Sequence, residues 1–184
     1  VLLTSTDRYI HFAAIEALSR LGIVVRTCLP QILALLQHQN WEVRFDAAEV
    51  LGTLEVEEHI PQLVTLLEDS DMRVRSAAVE ALGKLGKVTT AYIPQITARQ
   101  IAERLEDPDP SVRSSATWAL GHLGEVANAY IPQITERLED NDPSVRSAAV
   151  VALGFLGKEA KADLHISQIA LQQITACLKD TDPT

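Results

Sequence analysis

Five histidines, two cysteines and 25 acidic residues are the side chains in this 184-residue chain with the chemistry to hold a metal or move a proton. His11, His38, His59, His122 and His165 stand at unrelated places, and none has a second ligand at the spacing a zinc or iron site uses. Glu58-His59 reads as a solvated turn in a linker. Cys28 and Cys177 are too far apart for a Cys pair, and two cysteines make no disulfide framework, which fits a reducing, cytoplasmic setting. Gly-rich phosphate loops, Cys-x-x-Cys pairs and a Ser-His-Asp order with supporting motifs are all missing. The sequence therefore predicts no catalytic residue, no cofactor and no metal.

What recurs instead is a framework. The block Val74-Arg75-Ser76-Ala77-Ala78-Val79-Glu80-Ala81-Leu82-Gly83-Lys84-Leu85-Gly86 returns at Val112 to Gly124 and Val145 to Gly157, and more loosely at Val43 to Glu55 and Ile10 to Gly22. Starts at 10, 43, 74, 112 and 145 give spacings of 33, 31, 38 and 33, the period of a two-helix repeat. A second motif alternates with it: Leu29-Pro30-Gln31-Ile32, Ile60-Pro61-Gln62-Leu63, Ile93-Pro94-Gln95-Ile96, Ile131-Pro132-Gln133-Ile134 and Ile166-Ser167-Gln168-Ile169. Proline is tolerated in a first helical turn, where its missing N–H has no partner to lose, so these are helix starts. Second helices are expected near 8–21, 41–54, 72–85, 110–123 and 143–156, and first helices near 29–38, 60–68, 93–106, 131–139 and 166–179. The repeated Gln is assigned to the first turn or to contact between units.

Between the two helices of a unit comes an acidic turn, Asp107-Pro108-Asp109-Pro110-Ser111, Asp140-Asn141-Asp142-Pro143-Ser144, Asp69-Ser70-Asp71, and Asp180-Thr181-Asp182-Pro183. An Asp followed by Pro at the head of an apolar helix is an N-cap, and its charge suits the helix dipole; Asn40 and Asp7 can do the same. Second helices close on Gly-x-Leu-Gly at 83–86, 121–124 and 154–157 and on Leu21-Gly22 in the first copy, which places Gly22, Gly86, Gly124 and Gly157 at left-handed C′ positions.

The run Asp-x-Asp-Pro-Ser-Val-Arg-Ser-x-Ala-x-x-Ala-Leu-Gly-x-Leu-Gly at 107–124 and 140–157 resembles HEAT repeats, in particular the short repeats of phycobilin lyase subunits. Across nearly the whole chain, this resemblance implies an all-α fold, a right-handed α-solenoid of about five antiparallel helix pairs in one domain, 1–184. It also implies an ion-pair ladder joining Asp71 with Arg75, Asp109 with Arg113 and Asp142 with Arg146, weaker where Asn40 precedes Arg44 and Asp7 precedes His11. By the same resemblance the second helices line a concave groove.

With Val-Arg as positions one and two of each second helix, positions one, four, five, eight, nine and twelve carry the Val, Ala and Leu of a core. Positions three, seven and eleven form a stripe on another face. The stripe reads Phe12, Glu16, Arg20; Phe45, Glu49, Thr53; Ser76, Glu80, Lys84; Ser114, Trp118, His122; Ser147, Val151, Phe155. It passes from acidic to aromatic and apolar while the framework stays constant. The expected partner-binding groove residues are Trp118, His122, Val151, Phe155, Glu80, Lys84, Glu49 and Glu16, against the plainer reading in which the aromatics fill gaps and the charges face solvent.

A net charge of −9 with singly spaced arginines argues against nucleic acid, and no apolar run is long enough to span a bilayer. A protein or peptide is thus the expected partner of a non-enzymatic scaffold, with a bilin-lyase-type subunit or the sensor repeats of a signalling NTPase as alternatives. Deoxyhypusine hydroxylases resemble the architecture but need His-Glu pairs, which this chain lacks, and alkylpurine DNA glycosylases of this fold need a basic face. Both ends fall inside a repeat unit, as expected of a segment from a longer array.

Overall fold

The computed structural model describes residues 29–54, 57–86, 93–159 and 175, and these are helical and turn structure with no strand. The chain divides into two compact units, residues 1–88 and 89–184. In the first, α1 (Leu29–Leu35) precedes α2 (Trp41–Thr53), and α3 (Ile60–Thr65), extended by a 3₁₀ turn at Leu66–Glu68, precedes α4 (Met72–Gly86). In the second, α5 (Ile93–Glu103) runs through the 3₁₀ turn Arg104–Glu106 to α6 (Pro110–His122). A 3₁₀ stretch at Gly124–Tyr130 then leads to α7 (Ile131–Glu136), the turn Arg137–Glu139 and α8 (Pro143–Glu159). Both expected end helices, near 8–21 and 166–179, lie outside the described residues except for Thr175.

Within the first unit α2 packs on α4, and within the second α6 packs on α8, each second helix also resting on its own first helix. Val74, Ala78, Leu82 and Leu85 of α4 and their counterparts Val112, Ala116, Leu120 and Leu123 of α6 are buried. Position six joins them, since Ala48, Val79 and Thr117 are buried as well. The Thr117 hydroxyl reaches the carbonyl of Arg113 at 2.7 Å, which lets a polar side chain occupy the core. Position four is less regular than expected, with Asp46 and Ser115 only half-buried.

The two aspartates of each turn divide the labour. The second is the N-cap: Asp71, Asp109 and Asp142 accept from the backbone N–H of Arg73, Ser111 and Ser144 at 2.9, 2.9 and 2.8 Å, and Asn40 caps α2 in the same way through Glu42 at 2.9 Å. The first aspartate accepts from the N–H of the second and carries the ladder. Arg44 grips Asp69 with Nε and Nη2 at 2.7 and 2.8 Å, and Arg113 grips Asp140 at 2.8 and 2.8 Å. The ladder implied by the resemblance therefore exists with other partners: Arg44 and Arg113 each reach the first aspartate of the following repeat, because the residue four before each, Asn40 or Asp109, is engaged as a cap. Arg44 is accordingly a full rung, not a weak one. Its Nη1, like that of Arg75, Arg113 and Arg146, also clasps two carbonyls of its own turn, for Arg113 those of Asp107 and Pro108 at 2.9 and 3.2 Å.

These contacts shift the carboxyls. Burial works to raise Asp69, but the Arg44 guanidinium and the Asp71 N–H outweigh it and hold it below the usual carboxylate range. For Asp140 the Arg113 guanidinium is the largest influence and acts in the same direction.

Glycine placement differs from the sequence expectation. Gly124 does take a left-handed conformation, at φ 63°, but it is the only described glycine to do so; Gly157 continues inside α8, and Gly86 ends α4 without reversing φ. Conversely, the earlier glycine has an interhelical role in two of the motifs, at Gly52 and Gly121. A Cβ added to Gly52 would lie 2.8 Å from the Cα of Ala81, and one added to Gly121 would lie 2.5 Å from the Cα of Ala152. Helices α2 and α4, and likewise α6 and α8, cross there at a distance that only glycine permits.

Candidate partner-binding face

Four large hydrophobic residues are exposed among the described ones: Met72 and Trp118 at 37%, Val151 and Phe155 at 42%. Three of these four stand at positions seven and eleven of α6 and α8, on the face opposite the packed Ala and Leu rows. Because α6 and α8 are neighbours, their stripes meet. Trp118 and His122 lie one turn apart and stack at 3.7 Å between ring centroids with 28° between planes. Phe155 approaches His122 from α8 at 4.5 Å and 58°. A further tie joins the same two helices nearer their starts, where the Ser114 hydroxyl approaches the Ser144 carbonyl at 3.4 Å.

In the first unit the equivalent face has another character. Glu49 of α2 is half-buried, and burial pushes its carboxyl up; Lys84 of α4 opposes that, while Asp46 and Glu80 add to it. Lys84 and Thr53 are exposed, and Phe45 packs edge-on against Trp41 at 6.5 Å. Trp41 itself lies under the Arg73 guanidinium, 3.3 Å from its ring centroid, with Arg73 also paired to Asp71 at 2.7 Å. Glu16, with Phe12 and Arg20, lies outside the described residues.

Several sequence expectations are revised here. His59 is not solvated: it is 6% exposed in the 3₁₀ turn before α3, with both ring nitrogens lacking a hydrogen bond. His38 accepts the N–H of Asn40 at 3.1 Å and so serves the turn. The four described members of the repeated Gln series, Gln31, Gln62, Gln95 and Gln133, are all exposed, which removes inter-helix packing as their explanation and supplies no other. Sequence reasoning also missed Arg137, which donates to the Leu105 carbonyl at 2.7 Å and pairs with Glu106 at 2.9 Å, tying consecutive first helices together. Its signal was the repeated Arg-Leu-Glu at 104–106 and 137–139. A polar cleft of about 400 Å³ runs beside these residues, and its two cations, Arg113 and Arg137, are both bound by the chain's own acceptors. Among the described residues no group of His, Cys, Asp and Glu could hold a metal ion, and no helix is long and apolar enough to cross a membrane.

Repeated helix pairs, interhelical glycines and an arginine ladder define an α-solenoid repeat protein. A profile of HEAT repeats matches residues 29–99 and 98–184, and the chain belongs to that family. No curated protein matches it. Among solved structures it is similar to the CpcE–CpcF complex of phycocyanin lyase from a Nostoc species, with 24% identity and a TM-score of 0.67 over 96% of this chain and 74% of that one. It is similar to a designed armadillo repeat protein in complex with the peptide (KR)4, with 18% identity and a TM-score of 0.59 over 96% of each chain. Similarity to Kap95p, seen bound to RanGDP, has 15% identity and a TM-score of 0.73 over 97% of this chain and 25% of that one. At these identities the likeness is one of fold.

Proposed function

We propose that this chain is a protein-recognition module without catalysis of its own, and that a partner polypeptide seats on the face built by Trp118, His122, Val151 and Phe155. One observation carries the reading: three of the four exposed large apolar side chains among the described residues gather on two adjacent helices at stripe positions, in a chain whose framework positions are mostly Ala, Val and Leu. Glu49, Glu80 and Lys84 form the corresponding face of the first unit, and Glu16 continues the series in sequence. The whole chain, 1–184, acts as one HEAT domain in this reading, and the two distant cysteines suit the cytoplasm. Solenoids of this fold hold partners in the similar structures named above, which lends support by analogy only.

A photoreactive amino acid at position 151 should crosslink a discrete partner in cells, whereas the same group at position 133, exposed on the first helix α7, should not. Equal labelling from both positions would sink the assignment of the face. A second reading, a subunit of a bilin-lyase-type assembly, draws on the likeness to CpcE–CpcF. It requires that the chain with a cognate subunit change the visible absorbance of an open-chain tetrapyrrole, and an unchanged spectrum removes it.

A further inference from the structure

Resting on the partner-binding reading above, we infer that the Trp118–His122–Phe155 face takes an arginine side chain from the partner. His122 supplies the first observation. Its Nδ1 lies 3.0 Å from the carbonyl oxygen of Trp118, one helical turn back. A carbonyl can only accept, so Nδ1 carries the hydrogen, and in the neutral form of the ring Nε2 is an acceptor with no partner among the described residues. Half-exposed between two aromatic rings, that acceptor calls for an N–H or O–H donor from outside.

Charge selects among donors. Residues 89–184 hold eight Lys and Arg against thirteen Asp and Glu, and the stripe of this unit, Ser114, Trp118, His122, Ser147, Val151 and Phe155, contributes no cation. A cationic donor is therefore favoured over a neutral hydroxyl or amide. Shape and hydration then separate arginine from lysine. A guanidinium is planar, stacks on indole and phenyl rings and is weakly hydrated, so it can enter a patch bordered by Val151 and Phe155 and still direct an N–H at Nε2. The same molecule already contains such an arrangement, with Arg73 lying 3.3 Å over the Trp41 ring while its N–H groups bind Asp71.

The test uses the 184-residue chain carrying Trp41→Phe, so that Trp118 is the sole tryptophan and can be excited selectively at its red edge. The probes are Gly-Ser peptides bearing two leucines around one arginine, with lysine, citrulline or a third leucine in its place. The arginine peptide should shift Trp118 emission and bind about tenfold more tightly than the lysine and citrulline peptides. His122→Phe, which keeps the aromatic surface and removes Nε2, should erase that preference without lowering affinity for the leucine peptide. Equal binding of the arginine and lysine peptides overturns the inference. Tighter binding of the leucine peptide at Trp118 also overturns it, while leaving the partner-binding reading standing. Absence of any arginine-dependent signal refutes the arginine site, and the fate of the broader reading is then decided by crosslinking at position 151. Sedimentation that is concentration-dependent and abolished by Phe155→Ala would assign the face to a second copy of the chain and would likewise overturn the inference.

Discussion

Alanine at Gly121 and alanine at Gly154 should change stability in opposite directions, although both glycines sit at position ten of a second helix in the same Ala-Leu-Gly context. Helix propensity alone favours alanine by about 1 kcal/mol at either site. At Gly154 nothing lies within 4 Å of the added Cβ, so that gain should appear undiminished. At Gly121 the new atom would sit 2.5 Å from the Cα and 2.7 Å from the Cβ of Ala152. Carbon atoms in good contact are about 3.5 Å apart, so α6 and α8 would have to separate by about 1 Å at their crossing. Overpacking of this kind costs about 1–3 kcal/mol, and the obstruction here is backbone, which has no rotamer to change. The net loss for Gly121→Ala is then up to about 2 kcal/mol, a fall in melting temperature of several degrees, against a rise of about 2–4 °C for Gly154→Ala. Adding Ala152→Gly to Gly121→Ala should restore only part of the loss, since the Cα at 2.5 Å remains. Scanning calorimetry of the three variants reads all of this. A Gly121→Ala protein that melts as high as Gly154→Ala would refute the idea that close helix approach explains the repeated glycine.

Arg113→Ala leaves the buried Asp140 carboxylate without its bidentate partner and should cost about 3 kcal/mol in urea unfolding, with Arg113→Lys recovering less than half because one ammonium cannot replace the fork. Asp69 and Asp140 titrate below their unfolded value of about 3.9, so their contribution is complete above that pH and is lost as pH falls through the lower folded values. Circular dichroism should therefore show acid unfolding that begins below about pH 4, and Asp69→Asn with Asp140→Asn should flatten that limb. His59→Leu removes two desolvated ring nitrogens from a buried site and should raise stability by about 1 kcal/mol; a loss of that size would mean the imidazole has an undetected partner.

Fold was legible in the sequence because repetition averages over local ambiguity: one amphipathic helix is a weak signal, whereas aligned blocks at 43, 74, 112 and 145 constrain each other. Caps were legible for the same reason, since an Asp before a helical Pro has one cheap use. The ladder was legible as a pattern but not as a pairing. Arg113 reaches across 27 residues to Asp140, and spacing along one helix could not distinguish that partner from Asp109 four residues away. The role of Gly52 and Gly121 was overlooked although a glycine recurring in a helix interior, at a cost of about 1 kcal/mol each, needs a packing reason. His59 was misjudged because burial of a lone imidazole depends on its tertiary surroundings. Positions seven and eleven of the stripe could be placed from period alone, but the stack of Trp118 on His122 and the contact of His122 Nδ1 with the Trp118 carbonyl required coordinates.

The proposed anchors of a bound partner are Trp118 and Phe155. Once crosslinking has identified that partner, isothermal titration should give a Kd weakened by about a hundredfold or more in Trp118→Ala with Phe155→Ala, since buried aromatic anchors contribute about 2 kcal/mol each, while helicity is unchanged. An affinity equal to that of the native chain would contradict it.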